Sequence, residues 1–439
     1  MDTFLTAYDP SDLPGASIDP LGFERGYLFL ADKILPGLTN VASRPRYFAV
    51  LCAGASLCNH STDQSPRELL RARQEIILRF ERLWALANVL ARPDASGGVR
   101  GVTYAHDYAA ELQRRGDTRT TANYRLLSRQ PQYGAIGMYA SVADGMRFFN
   151  REDFTLTPAL GEVAAEAFLD ETAIPASLRR AIIEDSDVPL STLVSWGERA
   201  HVDAPVKPRE ADCLREALHY HDVRSRMADL LRHDPYQNDA ETELARLARV
   251  ERLLKRSGDH ADIREAITCI LAYESCYQLA LLAFERLLWL CRHHAAASIT
   301  LTELAGDSVL RTVKEHLPAQ ANRWFAALDQ ASTSGFREDL NRLGDVRCFL
   351  ESAVGSVAEH SAFVDAFLSR HTDIQHGKFD RGRRKMPWLE RTDARITLTM
   401  ARVGGMNREV TRPEQITPHP YRLGAADALL SASRKASQT

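Results

Sequence analysis

One run limits the possible folds more than any other, the stretch from Ala261 to His294. Ile263, Ile267, Ile270, Leu271, Tyr273, Cys276, Ala280, Leu281, Phe284, Leu287 and Leu288 leave few polar gaps in it. A helix apolar nearly all round has to be covered by protein on every side. The segment is therefore expected as the central strut of a helical domain, with neighbours packed on both sides. The rest of the chain has the material for this, with 45% apolar and 26% charged residues among its 439. That balance is ordinary for a globular protein with a real core, and the length suggests two to three domains. No uninterrupted apolar run reads as the ~20 residues of a membrane span. The N-terminus Met1-Asp-Thr-Phe-Leu lacks the basic start and apolar core of a signal peptide. The expectation is a cytoplasmic protein that does not engage a membrane.

Amphipathic helices are expected around the strut. Ser65-Pro-Arg-Glu68 is a helix-start signal, with proline in the first turn. The helix it opens should run to about Leu90, with Leu69, Ile76, Phe80, Leu83, Trp84 and Ala87 inward. Gly26–Leu35 is a shorter helical pattern, ended by Pro36-Gly37. Arg209–Leu231 and Ala240–Leu254 are amphipathic, with dense Arg and Glu on their outer faces. The final residues, from Ser431, are small and polar and are expected to fray. The fold class that follows is mainly α: a helical multi-domain protein with a winged-helix-like module and a small C-terminal β element. Four segments are expected: 1–95 as an N-terminal helical segment, 102–171 as the winged-helix-like module, 172–370 as the helical domain with the buried central helix, and 371–439 as a basic loop and small β element.

The module is drawn from the run Tyr104 to Asp170. Helical patterns lie near Tyr104–Arg114, Ala122–Ser128 and Met138–Phe149. Phe154-Thr-Leu156 then reads as a short strand. Thr157 is a good N-cap, Pro158 suits the first helical position, and Val163, Ala164, Ala167 and Phe168 repeat at helical spacing. Arg119, Arg125 and Arg129 fall just before and along the second helical pattern. A helix that reads the major groove carries its phosphate and base contacts there. The bland alternative is ordinary scaffold with a solvated arginine face.

A second basic cluster follows His371. Lys378, Arg381, Arg383, Arg384 and Lys385 stand close together among Gly377 and Gly382. Glycines let the backbone approach a phosphate closely. Trp388 is expected either to anchor the loop in the core or to stack on an unpaired base. Neutralisation by Asp380, Glu390 and Asp393 is the alternative. Beyond it, Arg395–Met400 alternates like a strand. With a net charge of −3 the chain is no basic coat, so any nucleic-acid contact must come from such local patches.

Enzyme signatures are sparse. The chain has no GxxxxGK[ST] phosphate loop and no GxSxG elbow. Its seven cysteines include no CxxC pair, which argues against a disulfide framework and a structural zinc site. Neither a cofactor nor a metal is expected. His106-Asp107, His221-Asp222 and His233-Asp234, with His219 nearby, keep open a metal-dependent phosphohydrolase or nuclease on helices.

Leu35-Pro-Gly-Leu-Thr-Asn-Val-Ala-Ser-Arg-Pro-Arg-Tyr-Phe48 and His376-Gly-Lys-Phe-Asp-Arg-Gly-Arg-Arg-Lys-Met-Pro-Trp-Leu389 resemble a group of bacterial proteins encoded beside restriction and phage-defence genes. Leu156-Thr-Pro-Ala-Leu-Gly161 fits the same picture. The resemblance implies an antiviral defence role beside helicases, nucleases or methyltransferases, and supplies no catalytic residues. The leading expectation is a non-enzymatic DNA-binding or adaptor subunit of a bacterial anti-phage defence system. Its partners would be duplex DNA and other defence-system subunits such as a helicase or nuclease. The alternatives are the metal-dependent enzyme and a protein-binding scaffold.

Overall fold

In a computed structural model the described residues are 19–58, 65–95, 97–294, 296–331, 341–380, 382–399 and 409–435. The chain is mainly helical, with a few small sheets. It divides into two compact units. One holds Leu35–Pro235 and the C-terminal stretch from Arg422. The other holds the described residues up to Ile34 and Tyr236–Tyr421. Residues 95–102 and 171–172 lie inside the first unit, and 370–371 inside the second.

The second unit is built on the helix Ala261–His293. Helices Glu24–Ile34, Glu243–Ser257 and Ser308–Ala331 pack against it. By length and composition it would pass for a membrane span, yet 72% of its most apolar window is buried. Polar contacts complete its core position. Glu274, almost fully buried, accepts from the Tyr421 hydroxyl at 2.7 Å and pairs with His419 Nδ1 at 2.7 Å. The antiparallel strands Leu389–Thr392 and Arg395–Leu398 form a hairpin, and Ser298–Thr300 pairs with the second of them. Met400, at the end of the expected strand, lies outside the described residues.

The first unit is organised around the helix Pro66–Ala91. Its start is a capping box. The Ser65 hydroxyl accepts from the Glu68 N–H at 3.4 Å, and Glu68 Oε2 accepts from the Ser65 N–H at 2.9 Å. Phe80, Leu83, Trp84 and Ala87 are fully buried, but Ile77 and Leu78 turn inward where Leu69 and Ile76 were expected to. The helix Leu190–Ala200 crosses it closely at Gly197, where a Cβ would stand 2.1 Å from the Ala87 carbonyl oxygen. Helices Arg46–Ser56 and Val102–Arg115 also pack on it.

Several expectations differ from what the chain does. Ala122–Ser128 is irregular rather than helical. Thr121 Oγ1 accepts from the Asn123 N–H at 3.1 Å, a local bond that competes with helix formation. Tyr124 stacks on Tyr108 with centroids 4.4 Å apart and donates to the Arg82 carbonyl at 2.7 Å. Ala122 and Leu126 are buried, so their four-residue spacing records anchoring of a loop. The stretch Arg209–Leu231 is two helices, Pro208–His219 and Asp222–His233, divided at Tyr220-His221. The C-terminal stretch does not fray from Ser431. The helix Leu423–Lys435 packs on both of these helices, with Leu429 and Leu430 buried. Near Thr157 the local reading matches: strand Thr155–Leu156 pairs with Phe149–Asn150, Thr157 caps a π-turn opened by Pro158, and the helix Val163–Glu171 follows.

Candidate nucleic-acid interface

The basic cluster of the second unit lies on a two-stranded hairpin. The helix His360–His376 ends at Gly377, whose N–H bonds back to the Asp373 carbonyl at 3.0 Å. Phe379–Asp380 then pairs antiparallel with Arg383–Arg384, and the Lys385 N–H closes the ladder on the Lys378 carbonyl at 3.0 Å. The turn is possible because Gly382 takes φ +80°, which costs glycine no steric penalty. Arg381 lies outside the described residues.

The register decides which side chains share a face. Phe379 stands directly opposite Arg384, and directly opposed residues project to the same side. Phe379 is 60% exposed and Met386 58%. Arg383 and Arg384 are exposed, whereas Lys378 and Lys385 are half-buried. Lys378 Nζ donates to the Asp19 carbonyl at 3.0 Å, so one of the five cations is engaged by the fold.

The base of the hairpin is pinned by His371 and Trp388. His371 Nδ1 lies 3.0 Å from the Pro20 carbonyl, and its Nε2 lies 2.9 Å from the Trp388 N–H. A carbonyl only accepts and a backbone N–H only donates, so the ring is the neutral Nδ1–H tautomer. Burial pushes the His371 pKa down to about 4, the Pro20 carbonyl pulls the other way, and Lys378 adds to the fall. The Trp388 indole packs on His371 and Phe284, with centroids 5.0 and 6.0 Å apart. These contacts anchor the base of the hairpin.

The arginines of the first unit are placed differently. Arg119 lies on the strand Arg119–Thr120, paired with Val188–Pro189, and forms an exposed ion pair with Asp187. Arg125 stands on the following loop with its guanidinium 5.7 Å from the Tyr104 ring centroid. Arg129 is exposed, just before the short helix Gln130–Tyr133. No helix presents the three together.

Arg46, which the sequence left open as an anion or partner contact, and Arg224 carry charges whose partners the sequence does not name. Arg46, only 1% exposed, pairs with Glu210 at 2.6 Å and donates to the carbonyls of Ala204 and Pro205 at 3.1 and 3.0 Å. Burial raises the Glu210 carboxyl to about 7 against the lowering pull of Arg46, and Glu171 adds to the rise. Arg224, fully buried, donates to the carbonyls of Pro36, Gly145, Ala217 and Leu218 at 2.7 to 3.2 Å. Neither is open to a ligand.

The histidines considered as metal ligands have other neighbours. His219 Nδ1 is 2.8 Å from Ser225 Oγ, and its Nε2 is 3.2 Å from Arg232. His233 Nδ1 meets the Asp229 carbonyl at 2.7 Å. Among the described residues no group of three or more His, Cys, Asp or Glu could hold a metal ion. No family model matches the chain, and no curated protein or solved structure matches it either.

Proposed function

We propose that this chain is a nucleic-acid-binding adaptor of a bacterial anti-phage defence system, and that it contacts nucleic acid through the hairpin Lys378–Lys385. The observation that carries the reading is the shared face of Phe379 and Arg384, both exposed, with Arg383, exposed as well, on the other face of the same short strand. An exposed aromatic ring offers a stacking surface to a base, and an adjacent guanidinium offers a charge to the phosphate. Unpaired DNA therefore suits this surface better than a duplex read by a helix in its groove. The defence setting is supported by the resemblance of the motifs at Leu35–Phe48 and His376–Leu389. On this reading the hairpin and the sheet formed by Ser298–Thr300, Leu389–Thr392 and Arg395–Leu398 make up the small C-terminal β element. The winged-helix-like reading of 102–171 rests on its closing strand, cap and helix, and the proposed contact does not depend on it.

The test is the salt dependence of binding to a fluorescent single-stranded oligonucleotide and to its duplex. Replacing Arg383, Arg384 and Lys385 together by Ala should flatten the slope of log affinity against log salt by about two units for single strands. Replacing Phe379 by Ala should weaken single-strand binding by roughly 1–3 kcal/mol and leave the slope unchanged. An unaltered slope in a folded triple variant removes the nucleic-acid reading. The exposed Phe379 and Met386 would then favour the second reading, a protein-binding surface, since aromatic residues, Met and Arg are enriched at such interfaces.

A further inference from the structure

A separate cleft of about 370 Å³ opens in the second unit between the helix Ser308–Ala331 and the start of the helix His360–His376. Arg311 and Lys314 line it from one helix, three positions apart and therefore on one face. His360 lines it from the other. Among the described residues neither Arg311 nor Lys314 forms an ion pair, and Lys314 Nζ lies 5.8 Å from the Phe363 ring centroid. Two carboxylates also line the cleft. Asp307 is already engaged: its Oδ2 accepts from Arg286 at 2.8 and 2.9 Å, and its Oδ1 accepts from the Val309 and Leu310 N–H groups at 3.0 Å. Glu315 is exposed, one negative charge against two cations.

Two further features lean the same way. His360 Nε2 is a buried nitrogen with no hydrogen-bond partner, and burial and Lys314 both lower the pKa of its ring. The helix His360–His376 has no side-chain cap, since Glu359 at its N-cap makes no such bond. Its first-turn N–H groups and the positive end of its dipole therefore favour an anion. Lone chloride would leave most of this volume unfilled, which lies within the range of small-ligand pockets. A phosphate ester offers the charge and several acceptor oxygens at once.

We propose that this cleft binds a small phosphorylated ligand, with Arg311 and Lys314 pairing its phosphate oxygens and His360 Nε2 as a hydrogen-bonding partner. The site shares no residue with the hairpin, so it stands or falls apart from the nucleic-acid reading.

Isothermal titration of the full chain with inorganic pyrophosphate, and separately with adenosine monophosphate, at constant ionic strength set with sodium chloride, tests it. Both probes should bind. The double variant Arg311→Gln with Lys314→Gln should weaken binding by about tenfold or more. His360→Ala should weaken it less. Measured in an Arg383→Ala, Arg384→Ala background, which removes the hairpin's own phosphate contacts, the same weakening by Arg311→Gln with Lys314→Gln should be seen. Should Lys314→Gln disturb the packing on Phe363, the exposed Arg311→Gln alone carries the test, with a weakening of several-fold. The proposal is overturned if neither probe binds at millimolar concentration, or if a folded Arg311→Gln variant binds both as the parent does.

Discussion

Ser43-Arg-Pro-Arg-Tyr-Phe48 and Arg381-Gly-Arg-Arg-Lys385 look alike as short basic motifs, and the fold uses them in opposite ways. Arg46 is taken wholly inside, onto Glu210 and two backbone carbonyls. Arg383 and Arg384 are left on an exposed strand two residues long. The difference lies in what surrounds each side chain. Around Arg46 the chain gathers acceptors that themselves need a donor. Around the hairpin it gathers an exposed ring, an exposed thioether and further cations. A guanidinium is retained inside only when carboxylate and carbonyl oxygens replace its water. One that keeps its water is free to exchange it for a phosphate. The density of arginine therefore says little about function until each partner is known.

The sharpest way to break this contrast is to remove Arg46. Arg46→Ala leaves Glu210 buried without its cation, and should cost roughly 3–5 kcal/mol in urea unfolding. Arg46→Met combined with Glu210→Leu removes both charges and keeps the volume, and should restore most of that loss. If the single variant unfolds at the same urea concentration as the parent, the two arginine settings do not differ in kind.

The hairpin's anchor gives the next effect. His371 is held neutral, with its pKa pushed down to about 4. An unfolded histidine titrates near 6.5 and so takes up a proton first as the pH falls. Between about 6.5 and 4 the unfolded chain holds more protons than the folded one, so stability falls with falling pH. The loss attributable to His371 should reach roughly 3 kcal/mol near pH 4. His371→Gln should be flatter across that window, whatever its stability at neutral pH. An identical pH profile in the variant would mean that other groups carry the acid sensitivity.

What could be read from the sequence follows the range of the interactions. The capping box at Ser65 was legible because it spans three residues. So was the strand, cap and proline near Thr157, and so was the strut at 261–294, whose apolar run needs no partner to be named. The Arg46–Glu210 pair crosses 164 positions, and neither residue signals the other. Ala122 and Leu126 have helical spacing because both plug into a core, while local bonds at Thr121 and Tyr124 hold the chain irregular. The break at Tyr220-His221 carries no proline or glycine to mark it. On the hairpin, the composition was visible, but the pairing of Phe379 with Arg384 depends on a register that the turn sets.

Arg119 lies between the two extremes and gives the smallest and most selective test. Its guanidinium pairs with Asp187, and both side chains are about half exposed. The pair holds the Asp187 carboxyl below the usual range, chiefly through the hydrogen bond from Arg119. Exposed pairs contribute little, so Asp187→Asn should leave the melting temperature nearly unchanged. Its value lies in what it frees. If the stretch 102–171 contacted duplex DNA, releasing Arg119 from its carboxylate would add a phosphate contact and steepen the salt slope by about 0.9. With the contact on the hairpin, the slope should stay as it is. A steeper slope in Asp187→Asn, lost again on adding Arg119→Ala, would move the interface to the first unit and leave Arg383 and Arg384 for a protein partner.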